Sequence, residues 1–196
     1  HNASDFPVAL ADIDHIEVLE GAASRLFGTS AFNGAINIVT KKAKSEWVSA
    51  SVEGGSFGSF GAQGRVQTAF ETGKWTQAYS VSGGYKRSDG GTENSDFEKG
   101  QGYGNLSFSY DQRFDINAQL GIASQSYGAN TFYSAKYNNQ YEKTDHGLAS
   151  LNLSLHNQEK TWEIAPQFYY NKFKDHYQLI RGKAGAAAGE NYHDLD

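Results

Sequence analysis

From Trp47 onward the chain alternates apolar and polar residues with a period of two, segment after segment, and each segment ends in Gly, Asp, Asn or Lys clusters. Successive side chains of a β-strand point to opposite faces, so the pattern predicts strands with one apolar and one polar face. Over 47–53, Val48, Ala50 and Val52 oppose Ser49, Ser51 and Glu53. Val66 and Phe70 then oppose Gln63, Arg65 and Gln67, and Trp75, Tyr79, Val81 and Tyr85 oppose Thr76, Ser80, Ser82 and Lys86. A fourth segment sets Leu106, Phe108 and Tyr110 against Asn105, Ser107, Ser109 and Asp111. The fifth interleaves Phe114, Ile116, Ala118, Leu120 and Ile122 with Asp115, Asn117, Gln119, Gly121 and Ala123. Leu151, Leu153 and Leu155, then Trp162, Ile164, Pro166, Phe168 and Tyr170, form the apolar faces of the last two. The count is about seven strands of roughly 7 to 13 residues, near or above the ~9–11 that cross a bilayer at a tilt.

The connections alternate as well. Short turns at 71–74, 112–113 and 157–160 take turns with polar stretches at 87–102, 127–147 and from Lys174 onward. Long loops on one rim and short turns on the other are the layout of an outer-membrane barrel, and the polar strand faces suit a water-filled or plugged lumen. Trp47, Tyr79, Tyr85, Tyr103, Tyr110, Phe114, Trp162 and Tyr170 sit near strand ends, where ring and polar edge both find a partner at a membrane interface. The alternative is a secreted or surface β-sandwich that binds glycans, with strands of about 5 to 6 residues in two packed sheets. An open meander also leaves its first and last strands, 47–53 and 162–173, with unpaired backbone groups, so both edges are expected to meet further strands.

Composition narrows the class. The chain has 38% hydrophobic residues, a mean hydropathy of -0.62, and no run near the ~18 apolar residues of a spanning helix. That excludes a membrane helix but not a membrane barrel, whose strands look polar on average. The absence of cysteine removes disulfide frameworks and thiolate metal sites. A net charge of -5 argues against a nucleic-acid partner. The first residue is His1 with no leader-like segment near it, so the chain reads as mature, truncated or partial.

Residues before Trp47 follow another pattern. Ile13, Ile16, Val18 and Leu19 predict a short buried strand ending at Gly21, 22–27 a helical turn closed by Gly28, and 35–39 a second strand entered from Gly34. The run Ile13-Asp14-His15-Ile16-Glu17-Val18-Leu19-Glu20-Gly21, then Ser24-Arg25-Leu26-Phe27-Gly28, Ala31 and Asn33-Gly34-Ala35-Ile36-Asn37-Ile38-Val39-Thr40-Lys41, resembles the end of the plug domain of TonB-dependent outer-membrane receptors, nearest the siderophore and cobalamin branch. Ala22 departs from the family's usual Pro. The motif positions are Glu17, Gly21, Arg25, Gly28, Asn33, Gly34 and Asn37.

The resemblance implies an all-β chain in the main. Residues 1–43 would be the C-terminal part of a small α+β plug, and 44–196 the first strands of an antiparallel up-and-down transmembrane barrel of about 22 strands. It also implies a bacterial outer-membrane location, contact with outer-membrane lipid, and energy-coupled uptake of an iron-siderophore or cobalamin. The energy would come from the inner-membrane transducer TonB, through a plug segment outside these residues.

Two loops carry candidate chemistry. Asp89, Glu93 and Asp96 stand among glycines and Asn94, an oxygen-rich mixture that suits Ca²⁺, and cobalamin-transporting members of the family bind calcium in similarly placed loops. An ordinary solvated loop has the same composition. Tyr127, Asn130, Phe132, Tyr133 and Tyr137 mix rings and amides as capture of a large, partly aromatic ligand requires; packing within the loop would use the same residues. No cofactor is required and no enzyme is expected. The Gly-rich 53–61 lacks the Lys-Ser/Thr ending of a phosphate loop, the six histidines show no paired ligand spacing, and no Ser sits in a nucleophile elbow.

Overall fold

The computed structural model describes residues 6–20 and 34–195. A 3-10 turn, Leu10–Asp12, leads into β1 (Ile13–Glu20), which pairs antiparallel with β2 (Gly34–Thr40). Then follow β3 (Trp47–Gly54), β4 (Phe60–Thr72), β5 (Trp75–Ser88), β6 (Phe97–Tyr110), β7 (Phe114–Gly128) and β8 (Tyr141–His156). The described chain closes with β9 (Glu163–Ile164), β10 (Gln167–Gln178) and β11 (Glu190–Leu195). These last nine strands form one antiparallel sheet in the order β11-β10-β8-β7-β6-β5-β4-β3, with β9 on β8. It is a meander of nearest neighbours. Strands β4 to β8 have 13 to 16 residues, and no second sheet lies on their apolar side among the described residues. The sandwich reading is thereby overturned.

The pairing runs without a slip from β3 to β11, so faces can be followed across the whole wall. Val48, Val66, Val81, Gly104, Leu120, Ala149 and Tyr170 are successive cross-strand partners on one face. Ser49, Arg65, Ser82, Tyr103, Gly121, Leu148 and Asn171 are partners on the other. Burial is the reverse of a water-soluble sheet. Val48 is 70% exposed and Leu120 62%, whereas Arg65 and Asn105 are 4% exposed. An apolar face of that extent marks an interaction surface. On the polar face, Asn117 Nδ2 donates to Asn105 Oδ1 (3.1 Å) and Ser107 Oγ (2.7 Å), and Gln119 Nε2 to Asn117 Oδ1 (2.8 Å). Trp75 and Tyr110, opposite each other at the short-turn rim, pack at 4.7 Å on the apolar side.

The two-stranded sheet touches the polar face. Asp12 accepts from Arg65 and Ser82, Tyr103 Oη donates to Thr40 Oγ1 (3.0 Å), and Phe6 meets His146 edge-on at 5.9 Å. Sequence reading made β1 buried. Instead Ile16 and Val18 are exposed; Ile16 borders a hollow of about 470 Å³ that also touches Ile13 and Ile38 and, on the wall, Ala62, Gln63, Gly84 and Gln101. The expected helical turn and the motif positions Gly21, Arg25, Gly28 and Asn33 lie outside the described residues.

Four boundaries are also corrected. β6 and β8 begin at Phe97 and Tyr141, well inside stretches read as loops. The seventh predicted strand is split into β9 and β10, because Pro166 has no N–H to give to the ladder; its carbonyl still accepts from Leu153 N at 3.0 Å. The far edge is β11, which pairs along β10 from Phe173 to Gln178.

Candidate functional site

The loops 89–96, 129–140 and 179–189 all emerge at one rim, and two residues lock them together. Asn94, held at a positive φ of 52°, donates through Nδ2 to the carbonyls of Gln140 (2.6 Å) and Asn138 (3.1 Å). Arg181 grips Asp96 with both terminal guanidinium nitrogens (2.6 and 2.9 Å), donates to Asn94 Oδ1 (3.2 Å) and lies over the Tyr141 ring at 4.9 Å. Two-pronged Arg–carboxylate pairs fix geometry as well as charge. This hydrogen bond holds the Asp96 carboxyl below its usual range.

Beneath this clasp, on the polar face, Tyr127, Glu142 and Tyr177 are direct partners across β7, β8 and β10. The buried Glu142 carboxylate accepts from both Tyr127 and Tyr133. Tyr133 comes from the loop and meets Tyr177 edge-on at 5.5 Å and Phe132 at 4.8 Å, while its N–H donates to Gln140 Oε1 (3.2 Å). Burial, and next the hydrogen bond to Glu142, raises the Tyr133 phenol above the usual tyrosine range. Phe132 is 65% exposed and Tyr133 45%. The product is a firm aromatic platform: two rings open to solvent, anchored from below by a carboxylate.

Of the five ligand residues expected, the structure brings together Tyr127, Phe132 and Tyr133. Asn130 serves the loop, donating to Glu93 O at 2.7 Å. Tyr137 closes it by accepting from Thr131 N (3.2 Å), with Lys136 over its ring at 5.4 Å. Glu142, Tyr177, Asn94 and Arg181 were missed; Tyr177 falls on the polar parity of β10, where the alternation calls for no ring. The calcium candidates Asp89, Glu93 and Asp96 do not converge. Asp89 pairs with Arg87 (2.6 Å), Asp96 with Arg181, and no group of three or more His, Cys, Asp or Glu fit to hold a metal occurs among the described residues. In the plug-like motif, Asn37 Nδ2 donates to Glu17 Oε2 at 2.7 Å between facing residues of β2 and β1.

No family model and no curated protein matches the sequence. Among solved structures, the siderophore receptor PiuA from Acinetobacter baumannii is similar with a TM-score of 0.65 at 15% identity, over 86% of this chain and 27% of that one. The likeness is one of fold. The chain spans about a quarter of that receptor's length (27%) and shares its architecture.

Proposed function

We propose that this chain is part of an outer-membrane receptor that takes up a bulky, scarce nutrient, an iron-siderophore or cobalamin, using energy delivered from the inner membrane by TonB. The observation that carries the reading is the inverted wall: apolar residues turned out along strands long enough to span a bilayer, polar residues turned in, and a separate two-stranded sheet against the polar side. The fold shared with a siderophore receptor supports it. The platform of Phe132 and Tyr133 at the loop rim is where a ligand would first be held. β1 and β2 would belong to the plug, and the free edges of β3 and β11 would meet further strands of the barrel. The reading requires no cofactor and no chemical step.

The test is uptake of labelled iron-siderophores and of cobalamin by cells relying on the full-length protein. Uptake of one ligand that stops with an uncoupler, and a rise in its apparent Kd of about tenfold or more in Phe132→Ala/Tyr133→Ala, is expected. A protein that fractionates away from the outer membrane would refute the reading.

A further inference from the structure

Under the rim platform two phenol oxygens and a carboxylate oxygen meet. Tyr127 of β7 and Tyr133 of the 129–140 loop both donate to Glu142 Oε2 on β8, and the two hydroxyls lie 3.1 Å from each other. Donor oxygens bound about 2.0–2.2 Å from an octahedral ion sit about 3 Å apart along each edge. The phenol–phenol spacing is that of one such edge.

Charge is the second observation. The Glu142 carboxylate is buried, and a buried anion is costly unless it is met by partners. Among the described residues only the two phenols meet it. The cations around it are placed otherwise: Arg181 grips Asp96, Lys136 lies over the Tyr137 ring, Lys143 is on the outward face, and Lys99 stands one row deeper on β6. With both phenols ionised the three oxygens would carry three negative charges, which a trivalent ion cancels and a divalent ion does not.

Donor chemistry narrows the ion further. A phenol keeps its proton at neutral pH, and burial holds that of Tyr133 more firmly still. Calcium and magnesium take carboxylate and carbonyl oxygens and would leave the phenols protonated. A ferric ion has the charge to displace those protons, as bound cations invert the local acidity, and tyrosine oxygen is a known ligand of iron. Phe132 and Tyr133 are exposed, so the far side of the site opens to solvent.

We propose that Tyr127, Tyr133 and Glu142 bind iron(III) directly, as three ligands on one face of an octahedron, the other three positions being filled by oxygens of a polycarboxylate chelate that carries the ion to the rim. On binding, each phenol gives its proton to solvent and its oxygen to the metal; the iron stays in the +3 state, and the ion with its protein ligands is neutral. A siderophore that supplies six donors of its own leaves no position for this face. The inference narrows the uptake reading above to iron in an open chelate and rests on that reading for delivery.

Absorption spectroscopy of the purified full-length protein in detergent, titrated with ferric citrate, tests it. Wild type develops the visible phenolate-to-iron charge-transfer band, saturating at one ion per protein. Tyr133→Phe and Tyr127→Phe keep the ring and lose only the oxygen; each weakens the band and raises the apparent Kd beyond the roughly 10–100-fold that loss of a mere supporting partner costs. Glu142→Gln raises it likewise, while Tyr169→Phe, deeper on β10 opposite Ser150, titrates as wild type. No band in wild type, or a band that survives in both phenylalanine variants, overturns the site. Uptake of a ferric trihydroxamate or of cobalamin by a protein that shows no band with ferric citrate overturns the site and leaves the uptake reading standing; a band without uptake of any iron chelate does the reverse.

Discussion

The carboxylate of Asp12 accepts hydrogen bonds from Arg65 on β4, 53 residues further along the chain, and from Ser82 on β5. Both charged side chains are almost fully buried, at 1% and 4% exposure. Removing one partner of such a pair leaves the other charge buried alone, at a cost of about 3–5 kcal/mol, whereas replacing both with apolar groups is close to neutral. In the full-length protein, Asp12→Ala should therefore speed amide hydrogen exchange in 6–20 by a factor matching that loss, and Asp12→Leu/Arg65→Met should regain most of it. Unchanged exchange in Asp12→Ala would mean that the contact does not hold the two units together.

Leu120 and Gln119 are neighbours in sequence and lie on opposite faces of β7. If the apolar face meets lipid, Leu120→Lys costs about 2–4 kcal/mol, the range for a lysine near the bilayer midplane. Ser51→Ala, on the polar face of β3, should stay within about 0.5 kcal/mol. Folding titrations into lipid vesicles measure both, and similar costs for the two would reverse the assignment of faces.

Asp96 has its pKa lowered from an ordinary 3.8, first of all by the hydrogen bond from Arg181. A depressed folded-state pKa means that the pair's contribution is complete above the unfolded value and fades as pH falls through the lower folded one. The three loops should thus stay joined at pH 7 and at pH 5, and loosen only below about 3.8. Hydrogen exchange in 89–96 would show the acid transition, and Arg181→Gln should loosen the loops at every pH. A transition near neutrality would point to other groups.

Gly34 opens β2 at a φ of 147°, and a Cβ there would lie 2.5 Å from the carbonyl oxygen of Leu19. Gly34→Ala should cost about 1–3 kcal/mol in the pairing of β1 with β2, read as faster exchange in both strands while β4 to β8 keep their protection. Wild-type exchange in the variant would show that this backbone can relax.

The part of the wall with an apolar face was plain in the sequence and the rest of it was not. Between Asn105 and Tyr110 the alternation of Leu106 and Phe108 with Ser107 and Ser109 marks a strand at once. Over 97–104, the other half of β6, the outward positions are Glu98, Gly100, Gly102 and Gly104, so no apolar face advertises it. The same holds for 141–147 of β8. Those residues are strands because the neighbouring strand offers backbone partners, and backbone hydrogen bonding leaves no mark on hydropathy. The candidate site divides likewise. The rings of Tyr127 and Tyr133 could be named from their loop, but Glu142 is joined to them only by register, and Arg181 reaches Asp96 across 85 positions.

A wall whose pairing never slips holds its two faces by parity alone. Within β3 to β8 a single inserted or deleted residue would turn every later side chain of that strand inside out, so length can drift there only in steps of two, while the loops are free to grow by any number. Identity, by contrast, is barely constrained: Val, Leu, Ile or Phe serve equally outward, and Ser, Asn or Gln inward. Such a chain can exchange most of its letters and keep its architecture, as two proteins do that share this fold at 15% identity.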